Sequence, residues 1–240
     1  MASRPIFVPR PDGPPYVSEV SVAFRWYPGL AKAQAQKSIR SLHLAASEKG
    51  IIPVLEISSK STDALGVALS AFNLAITVGG IETSVECAFQ GSKVFRNGGP
   101  YTDLYRSSSK EAKTDRRLKE SGELVAFRLF DVSFPTEPKT AFYDWLYITA
   151  LTQNPALASR LVRFQGFSDI AFNPERSVNC QARSAALFVG LTRTADVDIE
   201  RIAGDFDYYL RLITANPGRS ASPLMPGVQL ELPTQADSGS

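Results

Sequence analysis

A chain of 240 residues with 44% hydrophobic and 21% charged side chains can bury a full core, and it reads as one soluble globular domain with extensions rather than two domains. Its formal net charge of +2 does not announce nucleic-acid binding, so such a role must rest on local patches. The only cysteines, Cys87 and Cys180, and the only histidine, His43, lack the spacing of a disulfide framework or a zinc cluster, so no metal and no cofactor is expected and a reducing cytoplasm fits.

Residues 1–16 are interrupted by Pro5, Pro9, Pro11, Pro14 and Pro15. They read as an extended segment with no apolar stretch for a signal peptide. A single domain is expected over 17–214, followed by a disordered Pro-, Gly- and Ser-rich tail over 215–240. Val17 to Phe24 alternates like a strand, and Ala31 to Glu48 is a helix stopping before Gly50. That helix bears Lys32, Lys37 and Arg40 with no intervening acid, a first basic patch whose bland reading is a solvated face. His43, in the pattern Ile39, Leu42, His43, Ala46, reads as a packed or half-exposed helical histidine. Pro53 to Ile57 is a short strand leading to the polar loop Ser58, Ser59, Lys60, Ser61. Ala64 to Ile81 carries no charge, but its Gly, Ser, Asn and Thr make it too polar for a lipid span, so it belongs to the core and no membrane partner is expected.

After a turn at Gly79 and Gly80, a helix is expected across Thr83 to Phe95. Glu86, Gln90 and Lys93 stand there at i, i+4 and i+7 and share one face. Thr83 with Glu86 also forms a T-x-x-E capping box, so Glu86 has a structural reading beside a chemical one. Ser107 to Glu120 is expected as a charged helix, whose Arg106, Lys110, Lys113, Arg116, Arg117 and Lys119 form a second basic patch. Leu124 to Phe130 suits a strand. Pro138 to Leu151 is an aromatic helix with Phe142, Tyr143, Trp145 and Tyr147. Asn154 reads as a cap before Pro155, and Pro155 to Phe164 and Gln181 to Thr192 as two more helices. The resulting class is mainly α (α+β), helical with a small sheet.

The run T-S-V-E-C-A-F-Q-G-S-K-V-F from Thr83 resembles the S-x-E-H-x-x-Q-x-x-K-F signature of the NADAR, or YbiA-like, family, with Cys87 in place of the usual His. Gln153 to Leu161 resembles that family's Q-N-P-x-L-x-x-x-L segment. Leu69 to Leu74 resembles its L-S-N-F-Y, with Ala71 and Asn73 where Asn and Tyr are usual. The late W-G pair is absent, with Ala171 to Pro174 nearby instead. The phrases I-S-S-K-S and N-C-Q-A-R-S-A-A-L-F are most similar to the branch paired with DarT-type toxins.

The resemblance implies a helical N-glycosidase fold and removal of ADP-ribose from guanine bases of DNA, as antitoxin to a DarT-type ADP-ribosyltransferase. ADP-ribosylated DNA would be the substrate, ADP-ribose the product and the toxin a possible direct partner. Glu86 would face the oxocarbenium-like centre. A lysine would attack the anomeric carbon and pass through a Schiff base. Lys60 is preferred as nucleophile because it approaches from another element, whereas Lys93 lies ~10 Å from Glu86 along a helix and would bind a phosphate. Phe72, Asn73, Phe89, Gln90, Lys93, Trp145, Asn179 and Gln181 would contact substrate, Trp145 by stacking, with Asp144 a reserve acid. Lys113, Arg116 and Arg117 would meet DNA phosphates. Two other functions fit the same residues: an N-glycosidase of riboflavin-pathway intermediates, and a noncatalytic module that binds ADP-ribosylated DNA or the toxin.

Overall fold

The computed structural model describes residues 1–175 and 177–215; the expected tail beyond them lies outside the described residues. Alternation of apolar and polar side chains builds β1 (Ala2–Pro9) and β2 (Val17–Phe24), paired antiparallel from Ala2↔Phe24 to Pro9↔Val17. With β3 (Val54–Glu56) and β9 (Gly166–Ser168) they form a sheet of order β2-β1-β9-β3, in which β9 runs antiparallel to β1 and parallel to β3. The proline-rich start thus supplies an inner strand. Helix α1 (Lys32–Ser47) lays Ile39, Leu42 and Ala46 against Ile6, Val22 and Phe24 on that sheet and Ile170 just after β9.

A second, larger core surrounds α6 (Ala141–Gln153), buried from Ala141 to Leu151. A helix apolar on all sides must be enclosed on all sides, and α6 is packed by α3 (Val85–Gly91), α7 (Pro155–Leu161), α8 (Gln181–Thr192), α9 (Ile199–Gly204) and α10 (Phe206–Thr214). The hairpin of β4 (Ala75–Val78) and β5 (Ile81–Ser84) turns at Gly79 and Gly80, whose φ of 54° and 74° suit a two-residue turn with both central residues left-handed. A three-stranded sheet orders β6 (Lys93–Phe95), β7 (Leu124–Leu129) and β8 (Val132–Phe134). The class is therefore an α+β mixture rather than a helix-dominated fold with a small sheet.

Four local expectations are corrected. The signature helix ends at Gly91, where an added Cβ would stand 2.5 Å from the Tyr105 ring, and Lys93 sits in β6 opposite Phe127. Its cap is Ser84, whose Oγ accepts from Cys87 N, not Thr83. The charged helix breaks into α4 (Ser109–Thr114) and α5 (Arg117–Glu120), because Asp115 leaves helical geometry and its carboxylate accepts from Arg117 N at 2.9 Å. Asn154 does not cap α7 through its side chain; its amide donates to Ala75 O and Ala150 O, tying α6 to β4. Among the described residues no helix is long and apolar enough to cross a membrane.

Candidate active site

Three walls enclose a cavity of about 500 Å³, within the range of sites that bury small-molecule ligands. The first wall is α3 and the residue that follows it into β6. Glu86, 5% exposed, accepts from Gln90 Nε2 at 2.9 Å. Gln90 Oε1 in turn accepts from Lys93 Nζ at 2.7 Å. The i, i+4 spacing makes the first contact local, and the turn at Gly91 and Ser92 keeps Lys93 on the same side after the helix has ended. Lys93 Nζ also lies 4.6 Å from the centre of the Phe89 ring. Burial lowers the Lys93 amine to about 8, with Lys113 lowering it further and Glu86 opposing the shift.

Helix α4 closes this wall. Cys87 Sγ donates to Ser107 O, and Ser109 Oγ donates to Phe72 O at 2.8 Å. Lys113 is thereby placed 3.8 Å from Glu86 Oε1 and 5.0 Å from the Phe72 ring centre. The cysteine in the usual histidine position is a buried bracket between α3 and the segment before α4.

The second wall is the loop after β3. Glu56, buried, accepts from Ser58 Oγ at 2.7 Å, from Ser168 Oγ and from Ile170 N at 2.9 Å. Burial and the Asp169 charge raise it to about 8, against the three donated hydrogen bonds. Ser58 Oγ accepts from Lys60 N, so the backbone carrying Lys60 is anchored on this carboxyl group. Gly66 lets α2 (Ala64–Ala68) press on the same loop, since a Cβ there would stand 1.9 Å from Glu56 O. His43 Nε2 shares a 2.9 Å hydrogen bond with Ser168 Oγ, and burial lowers its imidazole to about 4, which keeps it neutral.

The third wall runs from Asp169 through Phe172 and Asn179 to Gln181 at the start of α8. Gln181 Oε1 accepts from Ala71 N at 2.7 Å, while Nε2 donates to Ile57 O at 2.7 Å and to Asp169 Oδ2 at 3.0 Å. One amide thus joins the second and third walls to Ala71, whose carbonyl oxygen accepts from Glu86 N at 2.9 Å at the start of α3, which leaves it a positioning group rather than a free binder. Asn179 Oδ1 is buried with no hydrogen-bond partner among the described residues. Tyr143 from α6 lines the cavity with its ring edge-on to Phe89, and burial holds its phenol well above the ordinary tyrosine range.

Of the residues singled out in the sequence, Glu86, Lys60, Phe72, Phe89, Gln90, Lys93, Asn179 and Gln181 line one cavity, and Lys113, although exposed, reaches the same cavity. Trp145 does not. It is 1% exposed, packs on Phe134 and Phe206, and donates Nε1–H to Ile202 O at 2.8 Å. Asn73 is exposed and its amide donates to Val67 O and Ser70 Oγ, closing a turn. Asp144 is buried against Arg183 and Ser184, away from the cavity. Arg116 pairs with Glu120, and Arg117 with Asp103 and Asp115, so these two arginines of the second basic patch are neutralised, while Arg106, Lys110 and Lys119 join no ion pair among the described residues. Asp169, Tyr143 and Phe172 also line the cavity, and no pattern in the sequence analysis marks them as site residues. The signal for Asp169 lay within reach, two residues before the A-F-N-P stretch noted as a departure from the family pattern. Burial raises the Asp169 carboxyl, opposed by the hydrogen bonds it accepts from Ala171 N, Gln181 and Phe172 N and, last, by the Lys113 charge.

A family model described as DarT1-associated NADAR antitoxin matches residues 2–222, taking in every element from β1 to α10. No curated protein matches the chain.

Proposed function

The chain belongs to the DarT1-associated NADAR antitoxin family, and from that premise we propose that the cavity is the active site of an N-glycosidase that frees ADP-ribose from guanine bases of DNA. The observation that carries this reading is the line Glu86–Gln90–Lys93 on one wall: a buried carboxylate joined through one amide to a lysine whose amine titrates near 8.

Breaking a base–ribose bond builds positive charge on the anomeric carbon and its ring oxygen. A preorganised anion such as Glu86 stabilises that charge in a largely desolvated cavity. The neutral amine of Lys93 attacks the anomeric carbon, and the bonding pair leaves with the guanine nitrogen, which takes up a proton. The new glycosylamine opens to a Schiff base. Water then hydrolyses it, returning the amine and releasing ADP-ribose. Desolvation favours Lys93 over Lys60 for this step, reversing the preference drawn from sequence. Lys60 and Lys113 then serve the diphosphate as point charges. Phe72 and Phe172 supply ring faces for a base, and the Asn179 carbonyl oxygen accepts from a hydroxyl or exocyclic amine of the substrate.

The test is incubation of the purified protein with ADP-ribosylated guanine DNA. Release of free ADP-ribose with restoration of unmodified guanine is the expected result. Binding without release would make the chain a recognition module, and release from small ribosides alone would move the substrate away from DNA.

A further inference from the structure

Arg116 and Arg117 are held by acids, yet a different basic surface is not. Between Glu19 and Glu48 the chain contains no acidic residue, while Arg25, Lys32, Lys37 and Arg40 fall in that interval. None of these four, nor Arg4 on the neighbouring β1, joins an ion pair among the described residues. Lys37, Arg40, Ser41 and Leu44 recur at i, i+3, i+4 and i+7 on α1, opposite the buried Ile39 and Leu42.

The segment after β2 is fastened beside this face. Ser41 Oγ accepts from Arg25 N at 3.1 Å, and Ser38 Oγ accepts from Tyr27 N at 2.9 Å. Tyr27, Lys37, Arg40, Ser41 and Leu44 together line a groove of about 420 Å³. Trp26, next to Tyr27 in the chain, is 39% exposed, with the Arg4 guanidinium 5.6 Å from its ring and that of Arg25 5.0 Å from the Tyr27 ring.

We propose that this α1 face and the Arg25–Tyr27 segment bind single-stranded DNA, with Lys37 and Arg40 on the phosphates and the Trp26 and Tyr27 region taking unstacked bases. Unpaired cations interleaved with one exposed and one half-buried aromatic ring are the composition of a single-strand platform. The cations track the backbone, and rings and guanidinium planes stack on any base. The groove shares no lining residue with the cavity, so strand binding stands independently of the glycosidase reading. If both hold, this face engages the strand that carries the modified guanine.

The experiment is fluorescence anisotropy of a fluorescein-labelled, unmodified oligothymidine with the full chain across a salt series. Wild-type protein is expected to bind, with an affinity that falls as salt rises. Lys37→Glu with Arg40→Glu should weaken binding more than tenfold and flatten the logarithmic salt slope by roughly 1.4, at about 0.7 per phosphate contact on a single strand. Trp26→Ala should weaken it by about tenfold, the effect of one lost base stack. Arg116→Glu should change little. Absence of wild-type binding, unchanged affinity in the Lys37/Arg40 double variant, or a loss as large in Arg116→Glu would overturn the proposal. Equal affinity for duplex of the same length with no effect of Trp26→Ala would overturn the single-strand assignment. Release of ADP-ribose from a modified mononucleotide, which has no flanking strand, should be unchanged in the double variant, which checks the fold and keeps the two readings separable.

Discussion

Gln90 holds Glu86 by donating its Nε2–H to Oε1 at 2.9 Å, and its own carbonyl oxygen, facing the other way, takes the Lys93 ammonium at 2.7 Å. The amide therefore couples the carboxylate to the amine without letting them collapse into a direct ion pair. A direct pair would stabilise the protonated, unreactive amine. Glu86→Gln should keep the fold, because the amide fills the same volume, and should lower ADP-ribose release ~10²–10³-fold, the scale of losing one preorganised electrostatic partner. Single-turnover rates on modified DNA decide it; near-wild-type rates would leave Glu86 a bracing residue only.

The Lys93 environment sets a pH profile. Only the neutral amine attacks, so kcat/KM should rise with pH and level off above about 8, where Lys93 has lost its proton. Lys113 is a cation that helps depress the Lys93 amine. Removing that charge in Lys113→Gln should move the midpoint of the rise to higher pH. A midpoint that stays put in this variant would mean that the rise reports another group.

The two lysines can be told apart covalently. Borohydride added during turnover should reduce the Schiff base to a stable amine carrying the ADP-ribosyl mass on the peptide that contains Lys93. Lys93→Arg should abolish the adduct, since a guanidinium stays protonated. Lys60→Arg should retain it and raise KM. An adduct on Lys60 would exchange the two roles.

Glu56 couples the Lys60 loop to stability. Its pKa is raised above the unfolded value, so the folded protein keeps a proton that the unfolded chain has lost. Stability should therefore be greatest below the ordinary glutamate range of about 4.3 as far as this group is concerned, and fall as pH climbs from there to about 8. Glu56→Gln should flatten that dependence in thermal melts at a series of pH values. An unchanged slope would show that the carboxylate is ionised throughout.

Trp145→Phe should destabilise by about 1–3 kcal/mol, through loss of the hydrogen bond to Ile202 O and of ring volume in a packed core. Its rate on saturating substrate should be unchanged. A rate defect in a folded Trp145→Phe protein would return this ring to the site.

Patterns that act within a few residues were determined by the sequence alone. The alternation of Val17–Phe24, the helix Gln181–Thr192 and the Glu86–Gln90 pairing at i, i+4 all appear where local spacing puts them. What lies between distant segments was decided by tertiary structure. Arg116 and Arg117 look as cationic in sequence as Lys37 and Arg40, yet Asp103, Glu120 and Asp115 neutralise the former pair and no acid reaches the latter among the described residues. Trp145 and Phe72 are both aromatic side chains in apolar runs, but α6 is enclosed by helices from across the chain while Phe72 opens on the cavity. Asp169 enters the site only because β9 pairs with β3, bringing residues more than a hundred positions apart to adjoining walls of one cavity. The amine of Lys93 titrates near 8 because burial penalises its charge. Burial, charge compensation and pKa depend on which surfaces meet, and that is settled by the packing of the whole chain rather than by any window of it.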